Sequence, residues 1–280
     1  MARIDLHSHS SCSDGSFSPQ ELVQRAAERG VEQLALTDHD TVSGVQEAII
    51  AASTCNIRLI PGIELSTMWD VHTIHVLGLN LHMEHTQLHA LVQQQESSRR
   101  SRGEQIAERL VKLGYSGIYE DAIRLADVPE HVSRVHFAQV LVQRGVTATV
   151  QQAFDRYLKD GKKAAVPAHW INMVDGIDLL KKTGAQVILA HPLRYDLGST
   201  KLRTLLEVFA DAGGAGVELA TAHDDSHKEP WLSAQAKRLK LCGSQGSDFH
   251  GAAMPWVDIG RCFELPSDVE PVWNRWSAEL

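Results

Sequence analysis

The chain has 280 residues, 43% of them apolar and 22% charged, with 27 Lys/Arg against 35 Asp/Glu and a formal charge of −8. This length admits one large or two small domains around a sizeable core, and the composition excludes disordered and fibrous architectures. Net negative charge argues against a protein that coats DNA or RNA. The lack of an 18-residue apolar run or a signal-peptide pattern leads to the expectation of a cytoplasmic protein with no membrane partner.

In chain order, short β-rich runs end abruptly in polar residues with metal-binding chemistry. Arg3-Ile4-Asp5-Leu6 runs into His7-Ser8-His9. Ser18-Pro19-Gln20-Glu21 then has the pattern of a helix start, with Ser18 as cap, Pro19 first and Glu21 three residues on, and Gly30 stops it. Gln33–Leu36 leads to Thr37-Asp38-His39-Asp40, a helix is expected over Ser43–Ser53, Arg58–Ile63 reaches Glu64, and Thr73-Ile74 reaches His75. From 84 to 165 only helical patterns follow (Leu88–Leu113, Tyr119–Ala126, Arg134–Gln143, Val146–Leu158). The strand rhythm then resumes: Gln186–Ala190 stops at His191, Gly216-Val217 precedes Glu218, and Leu241-Cys242-Gly243 leads into Asp248-Phe249-His250. Helices are expected between them over Val174–Lys182, Lys201–Ala212 and Lys228–Leu239.

Alternation of strand and helix predicts a parallel α/β sheet or barrel, whose strand C-termini carry the chemistry. The helical stretch reads as an insertion, giving a barrel from 1–83 and 166–280 and an inserted helical lid at 84–165. Charge supports the division. Residues 99–165 hold 12 Lys/Arg and 8 Asp/Glu, a balance of +4, which leaves −12 for the remainder.

His7 and His9 share a strand face, and Asp14 can fold back from a Ser-Asp-Gly turn. With His39, Glu64, His75, His191, Asp248 and His250 they make nine donors, each just past an expected strand. Imidazole mixed with carboxylate suits Mn, Fe, Zn or Ni, and nine donors exceed the needs of one catalytic zinc. Two or three divalent ions are expected, Mn first, with Fe or Zn as alternatives. Repetition at strand end after strand end distinguishes this pattern from isolated structural histidines. The four scattered cysteines suggest neither a disulfide framework nor a nucleophile.

His7-Ser8-His9, Ser13-Asp14-Gly15, Thr37-Asp38-His39-Asp40, Pro61-Gly62-Ile63-Glu64, His75, Ala190-His191-Pro192 and Gly246-Ser247-Asp248-Phe249-His250 resemble, in order, the motifs of the PHP (polymerase and histidinol phosphatase) family. The resemblance implies a distorted seven-stranded (β/α)7 TIM-like barrel with a trinuclear metal site. It implies His7, His9, Glu64 and Asp248 on one metal, Glu64, His75 and His191 on a second, and Asp14, His39 and His250 on the third. His191, Asp248 and Glu64 are the expected catalytic residues.

Ser133-Arg134-Val135-His136-Phe137-Ala138 and Gly161-Lys162 in the insert are similar to stand-alone bacterial members of the family, which act on nucleoside 3′,5′-bisphosphates and on the 5′ ends of short RNA. The expected reaction is hydrolysis of a phosphate monoester by a hydroxide bridging the metals, releasing the 3′-phosphate of a nucleoside 3′,5′-bisphosphate to give a 5′-mononucleotide. Arg134 is the expected phosphate clamp, because guanidinium binds phosphate in a fork. Ser133, Lys162, Arg194 and His223 are the further substrate-binding candidates; Lys163 could replace Lys162, and His136 could orient substrate or cap its helix. Competing functions are 5′→3′ trimming of short RNA, histidinol-phosphate hydrolysis and a metal-dependent nucleotide-binding module. Arg99, Arg100 and Arg102 read as an exposed helix face, with nucleotide contact as the alternative, His72, His82, His85 and His89 as surface, Trp69 and Trp170 as packing, with base stacking as the alternative, and Trp256, Trp273 and Trp276 as packing of the terminal segment.

Overall fold

The strand ends that carry the histidines converge because the strands close on themselves. In the computed structural model, which describes residues 3–126, 132–221, 227–251 and 257–276, the strands are β1 (Ile4–Asp5), β2 (Gln33–Leu36), β3 (Arg58–Trp69), β4 (His72–Leu79), β5 (Ile171–Asn172), β6 (Gln186–Leu189), β7 (Gly216–Thr221) and β8 (Cys242–Gly246). They pair in the order β1-β2-β3-β4-β6-β7-β8, with β5 attached to β3 outside that path. Leu6 N–H donates to Gln245 O at 3.0 Å and Ser8 pairs with Phe249, so the first strand meets the last. The result is a nearly closed seven-stranded α/β barrel, as expected.

The distortion has a local cause. β3 and β4 pair antiparallel, and so do β4 and β6, whereas the other neighbours on the path pair parallel. Only Asp70 and Val71 separate β3 from β4, and a parallel crossover needs about a dozen residues or more. Both strands are also longer than the apolar runs suggest, because polar Ser66, Thr67 and His72 continue them.

Helices α1 (Pro19–Glu28), α2 (Val45–Cys55), α7 (Met173–Lys182), α8 (Ser199–Asp211) and α9 (Glu229–Arg238) flank the barrel. α1 begins as the sequence dictates: Ser18 Oγ accepts from Glu21 N–H at 3.2 Å, and Glu21 Oε2 accepts from Ser18 N–H at 2.9 Å. Leu22, Val23 and Ala26 form its buried face, and Gly30, at φ 71°, ends it.

Between β4 and β5 lie α3 (Thr86–Lys112), α4 (Ile118–Leu125), α5 (Arg134–Gln143) and the short α6 (Val150–Ala153), which continues into a π turn over Phe154–Leu158. These helices own a cluster built from Ile106, Leu110, Ile118, Phe137, Leu141 and Leu158. α3 belongs to two cores. Its first turns bury Leu88, Leu91 and Val92 against the barrel, and its last turns bury Ile106 and Leu110 against the other helices. No helix among the described residues is long and apolar enough to cross a membrane.

Phe137 is fully buried and stacks on Tyr119 with ring centroids 6.4 Å apart. Phe137→Ala should cost about 3–5 kcal/mol in urea unfolding. Because its neighbours are helical rather than barrel residues, amide exchange should accelerate in α4 and α5 while the barrel strands keep their protection.

Candidate metal centre

Each candidate ligand is delivered by its strand. His7 and His9 follow β1, with Asp14 in the turn behind them; His39 follows β2; Glu64 and His75 face each other across the β3–β4 hairpin; His191 follows β6; Asp248 and His250 follow β8. Two of them lie on backbone that L-residues seldom adopt, His191 at φ 30° and Asp248 at φ 53°, which costs of order 1–3 kcal/mol each and persists only where the surroundings enforce it. Close backbone approach fixes two glycines. A Cβ on Gly246 would lie 2.3 Å from His7 Cβ, and one on Gly15 would lie 2.4 Å from His9 O.

All nine expected donors come together. Glu64 is at the centre, with His7 Nε2, His9 Nε2, His39 Nδ1, His75 Nδ1 and His191 Nε2 each 2.9–3.2 Å from one of its oxygens. Three groups have ligand atoms within 4.8 Å of one another: His7, His9, Glu64 and Asp248; His39, Glu64 and His75; His9, Asp14, His39 and His250. His191 adjoins the second group at 3.0 Å from Glu64 Oε1, and His9 and His39 are shared more widely than the sequence implied.

Protons do not account for this arrangement. His7 Nε2 and His39 Nδ1 lie 3.1 and 3.2 Å from Glu64 Oε2, and His75 Nδ1 lies 2.9 Å from Glu64 Oε1, yet these buried nitrogens and Glu64 Oε2 have no hydrogen-bonding geometry. Their lone pairs converge instead. Burial pushes His39 down to about 3, while for His9 burial is outweighed by the neighbouring carboxylates of Asp248 and Glu64, which raise it to about 10. Burial opposes ionisation of Glu64 too, but His39, His7 and His75 hold it well below the usual carboxylate range. Neighbouring imidazoles with opposed preferences around an ionised, buried carboxylate fit divalent cations and fit no single protonation state.

A supporting shell was not legible in the sequence. Glu218 Oε1 lies 2.9 Å from His7 Nδ1, and Glu218 Oε2 accepts from His191 N–H at 2.7 Å, so one fully buried carboxylate orients two ligands. Asp38 accepts from Ser10 N–H at 2.7 Å and from the Ser10 and Ser13 hydroxyls at 2.6 Å, shaping the turn that carries Asp14. Tyr195 Oη accepts from His75 N–H at 2.9 Å and donates to Ala190 O at 3.1 Å. Next to His39, Asp40 accepts from Ser66 N–H at 2.7 Å and Gln95 Nε2 at 2.9 Å, and pairs with Arg99.

Arg99 and Arg102 depart from the exposed face expected of them, while Arg100 is exposed. α3 crosses the mouth of the barrel, so the residues between its two apolar ends turn inward. Both guanidiniums lie over Trp170, at 5.3 and 5.6 Å, and Arg102 Nε donates to Val166 O at 3.1 Å. A cavity of about 200 Å³ separates Asp14, His39 and His75 from Arg99, Arg102, Ser133, Arg134 and Trp170. Burial, with Arg134 and Arg99 nearby, lowers Arg102 to about 9.

The other substrate candidates are dispersed. Ser133 caps α5, accepting from Val135 N–H at 3.3 Å, and His136 Nδ1 accepts from Ser133 N–H at 3.0 Å, so His136 closes the cap. His136 also lines a second cavity of about 740 Å³ with Asp14, Arg194, Asp248 and His250. Arg194 pairs with Asp248. Lys162 lies in a third cavity, which it shares with Arg134, and not in the small one. His223 and Trp256 fall outside the described residues.

Glu218→Gln preserves volume but leaves one acceptor for two donors. Metal affinity should fall by roughly 10–100-fold, read as metal content after dialysis against graded free metal; wild-type retention would show that Glu218 does not orient the ligands.

The chain matches the PHP domain over residues 5–222. A Salmonella typhimurium protein named 5′-3′ exoribonuclease Rnm is 42% identical to it, covering 97% of this chain and 93% of that protein. A 3′,5′-nucleoside bisphosphate phosphatase of Chromobacterium violaceum is 37% identical, covering 100% of this chain and 98% of that protein. The solved structure of an amidohydrolase from Chromobacterium violaceum, with bound sulfate, aligns at a TM-score of 0.92 and 36% identity over 98% of this chain and 95% of that one. On a domain match over most of its length and relatives of this similarity from end to end, the chain belongs to the PHP domain family.

Proposed function

We propose that this protein hydrolyses the phosphoester on the 3′-oxygen of a 5′-phosphorylated nucleotide, with a nucleoside 3′,5′-bisphosphate as its smallest substrate and a 5′-mononucleotide as product. The coarser activity, metal-dependent phosphoester hydrolysis, rests on family membership and on the His/Asp/Glu cluster. The finer reading is carried by one observation: the small cavity sets a wall of three arginines opposite the cluster, which gives a second phosphate its own anion site.

When bound, the divalent ions would bring the pKa of water toward neutrality and offset charge on the phosphate oxygens. Glu64 and Asp248 supply buried negative charge to hold them, and Glu218 keeps His7 Nε2 directed inward. Opposite, the first residues of α5 line the cavity, so backbone N–H groups and the helix dipole favour an anion there. Arg134 adds a planar fork of donors. Its competing partner is weak, since Asp160 is exposed and stays 3.8 Å away. Trp170 holds Arg99 and Arg102 by their faces; Asp40 takes one edge of Arg99 and Val166 O takes Arg102 Nε, which leaves the terminal nitrogens of Arg102 for phosphate oxygens.

Short 5′-phosphorylated RNA is the second reading. It involves the same oxygen and phosphorus, it is favoured by the relative at 42% identity, and a cavity of about 700 Å³ beside the small one leaves room for a longer strand.

With metal content matched to wild type, Arg134→Ala should lower kcat/KM for a 3′,5′-bisphosphate by roughly 10–100-fold, the value of a charge-assisted hydrogen bond of about 1.5–3 kcal/mol. Hydrolysis of a nucleoside 3′-monophosphate should barely change. An unaltered preference for bisphosphate over monophosphate would sink the assignment. Chelation should abolish phosphate release and added Mn²⁺ should restore it; turnover that survives thorough chelation would contradict the metal-dependent reading.

A further inference from the structure

Beyond the small cavity, a trough of about 700 Å³ runs from Arg194 and Tyr195, next to His191, along the tip of the β3–β4 hairpin to the far end of α3. Arg102 and Arg134 line it where it meets the small cavity, and Arg109 and Lys162 line its outer part. Five cations therefore face two carboxylates, Asp160 and Asp196. Both of those are exposed, and the only ion pair either makes with a trough cation among the described residues is the 3.8 Å Arg134–Asp160 contact. The second cavity, which shares Arg194 with the trough, has a different character: among the described residues Arg194 is its one Arg or Lys, Asp14 and Asp248 belong to the metal cluster, and much of the rest is apolar, including Leu125, Val135 and Val150.

A bisphosphate needs only the metal cluster and the adjoining arginine wall. Arg109 and Lys162 continue the positive surface along the trough and do not line the small cavity. We propose that the trough is a track for single-stranded RNA, holding the backbone phosphates that follow the terminal nucleotide. The inference rests on the proposed hydrolysis at the 3′-oxygen and adds the path of the strand. The direction follows from charge: a polyanion leaving the metal centre enters the cation-lined trough in preference to the second cavity, whose described lining offers a single Arg and much apolar surface. Arg109 is exposed, so each contact is modest and salt-sensitive.

The test compares a nucleoside 3′,5′-bisphosphate with a 5′-phosphorylated pentaribonucleotide in wild type, Arg109→Ala, Arg109→Lys and Asp196→Lys, at matched metal content and melting temperature. Arg109→Ala should lower kcat/KM for the pentamer about fivefold and flatten its log–log salt dependence by roughly 0.7, with the bisphosphate unchanged. Arg109→Lys should restore most of the loss even though it disturbs the donor to Ala165 O, which separates charge from structure. Asp196→Lys, remote from that tether, should improve the pentamer and leave the bisphosphate alone. Equal effects on both substrates, or a pentamer indifferent to every variant beside normal bisphosphate turnover, would overturn the track alone. Failure of the wild type to hydrolyse either substrate would overturn the underlying reading as well.

Discussion

A carboxylate sealed inside a barrel is the constraint around which this molecule is organised. Glu64 is about 1% exposed and five imidazoles crowd within 3.2 Å of it. An ion removed from water in this way costs several kcal/mol unless opposite charge compensates it. The imidazoles compensate it only in part, because burial disfavours their charged forms as well, so the barrel mouth is shaped for cations. The short parallel strands, the β3–β4 hairpin and the left-handed backbone at His191 and Asp248 all serve to aim donors at the same few ångströms. Glu218 and Asp38 then hold those donors from behind.

How much of this could be read from the chain depended on how local each signal was. His7-Ser8-His9 and Asp248-Phe249-His250 announce themselves because both donors sit in one short motif at a strand end. Glu218 follows Gly216-Val217 in the same way, yet a single Glu gives no hint that it will meet His7, 211 positions earlier. The Asp40–Arg99 pair joins residues 59 apart, through elements whose packing no periodicity describes. α3 is the clearest case. Its apolar residues serve the barrel at one end and the helical cluster at the other, so Arg99 and Arg102 lie where neither stripe is evident and read as solvated. The strand at Thr73-Ile74 was legible, but its extension to His72–Leu79 and its antiparallel direction were not, although the two-residue connection to β3 implies that direction.

The two acid–base characters of the chain have separate work. The acidic body surrounds the metal cluster, and the surplus of Arg and Lys is placed on helices that lean over it. Bulk net charge therefore says little about what the protein binds; the relevant quantity is the sign of the wall opposite the reacting centre. Trp170 illustrates how such a wall is kept rigid. A buried indole packed against the guanidinium holds Arg102 without a carboxylate, which under the proposed function would compete with phosphate for the same donors.

The closure of the barrel has a consequence for how the protein comes into being. Leu6 meets Gln245, and His7 meets Asp248, across nearly the whole chain. During synthesis His7, His9, His39, Glu64 and His75 emerge early, as an incomplete set of ligands that cannot yet enclose an ion. Asp14 emerges with them, His191 follows about two thirds of the way along, and Asp248 and His250 arrive only with the last quarter of the polypeptide; contacts of such sequence separation form late and slowly. Metal capture should therefore coincide with docking of the final strand, so that the ions stabilise only molecules whose two ends have already met.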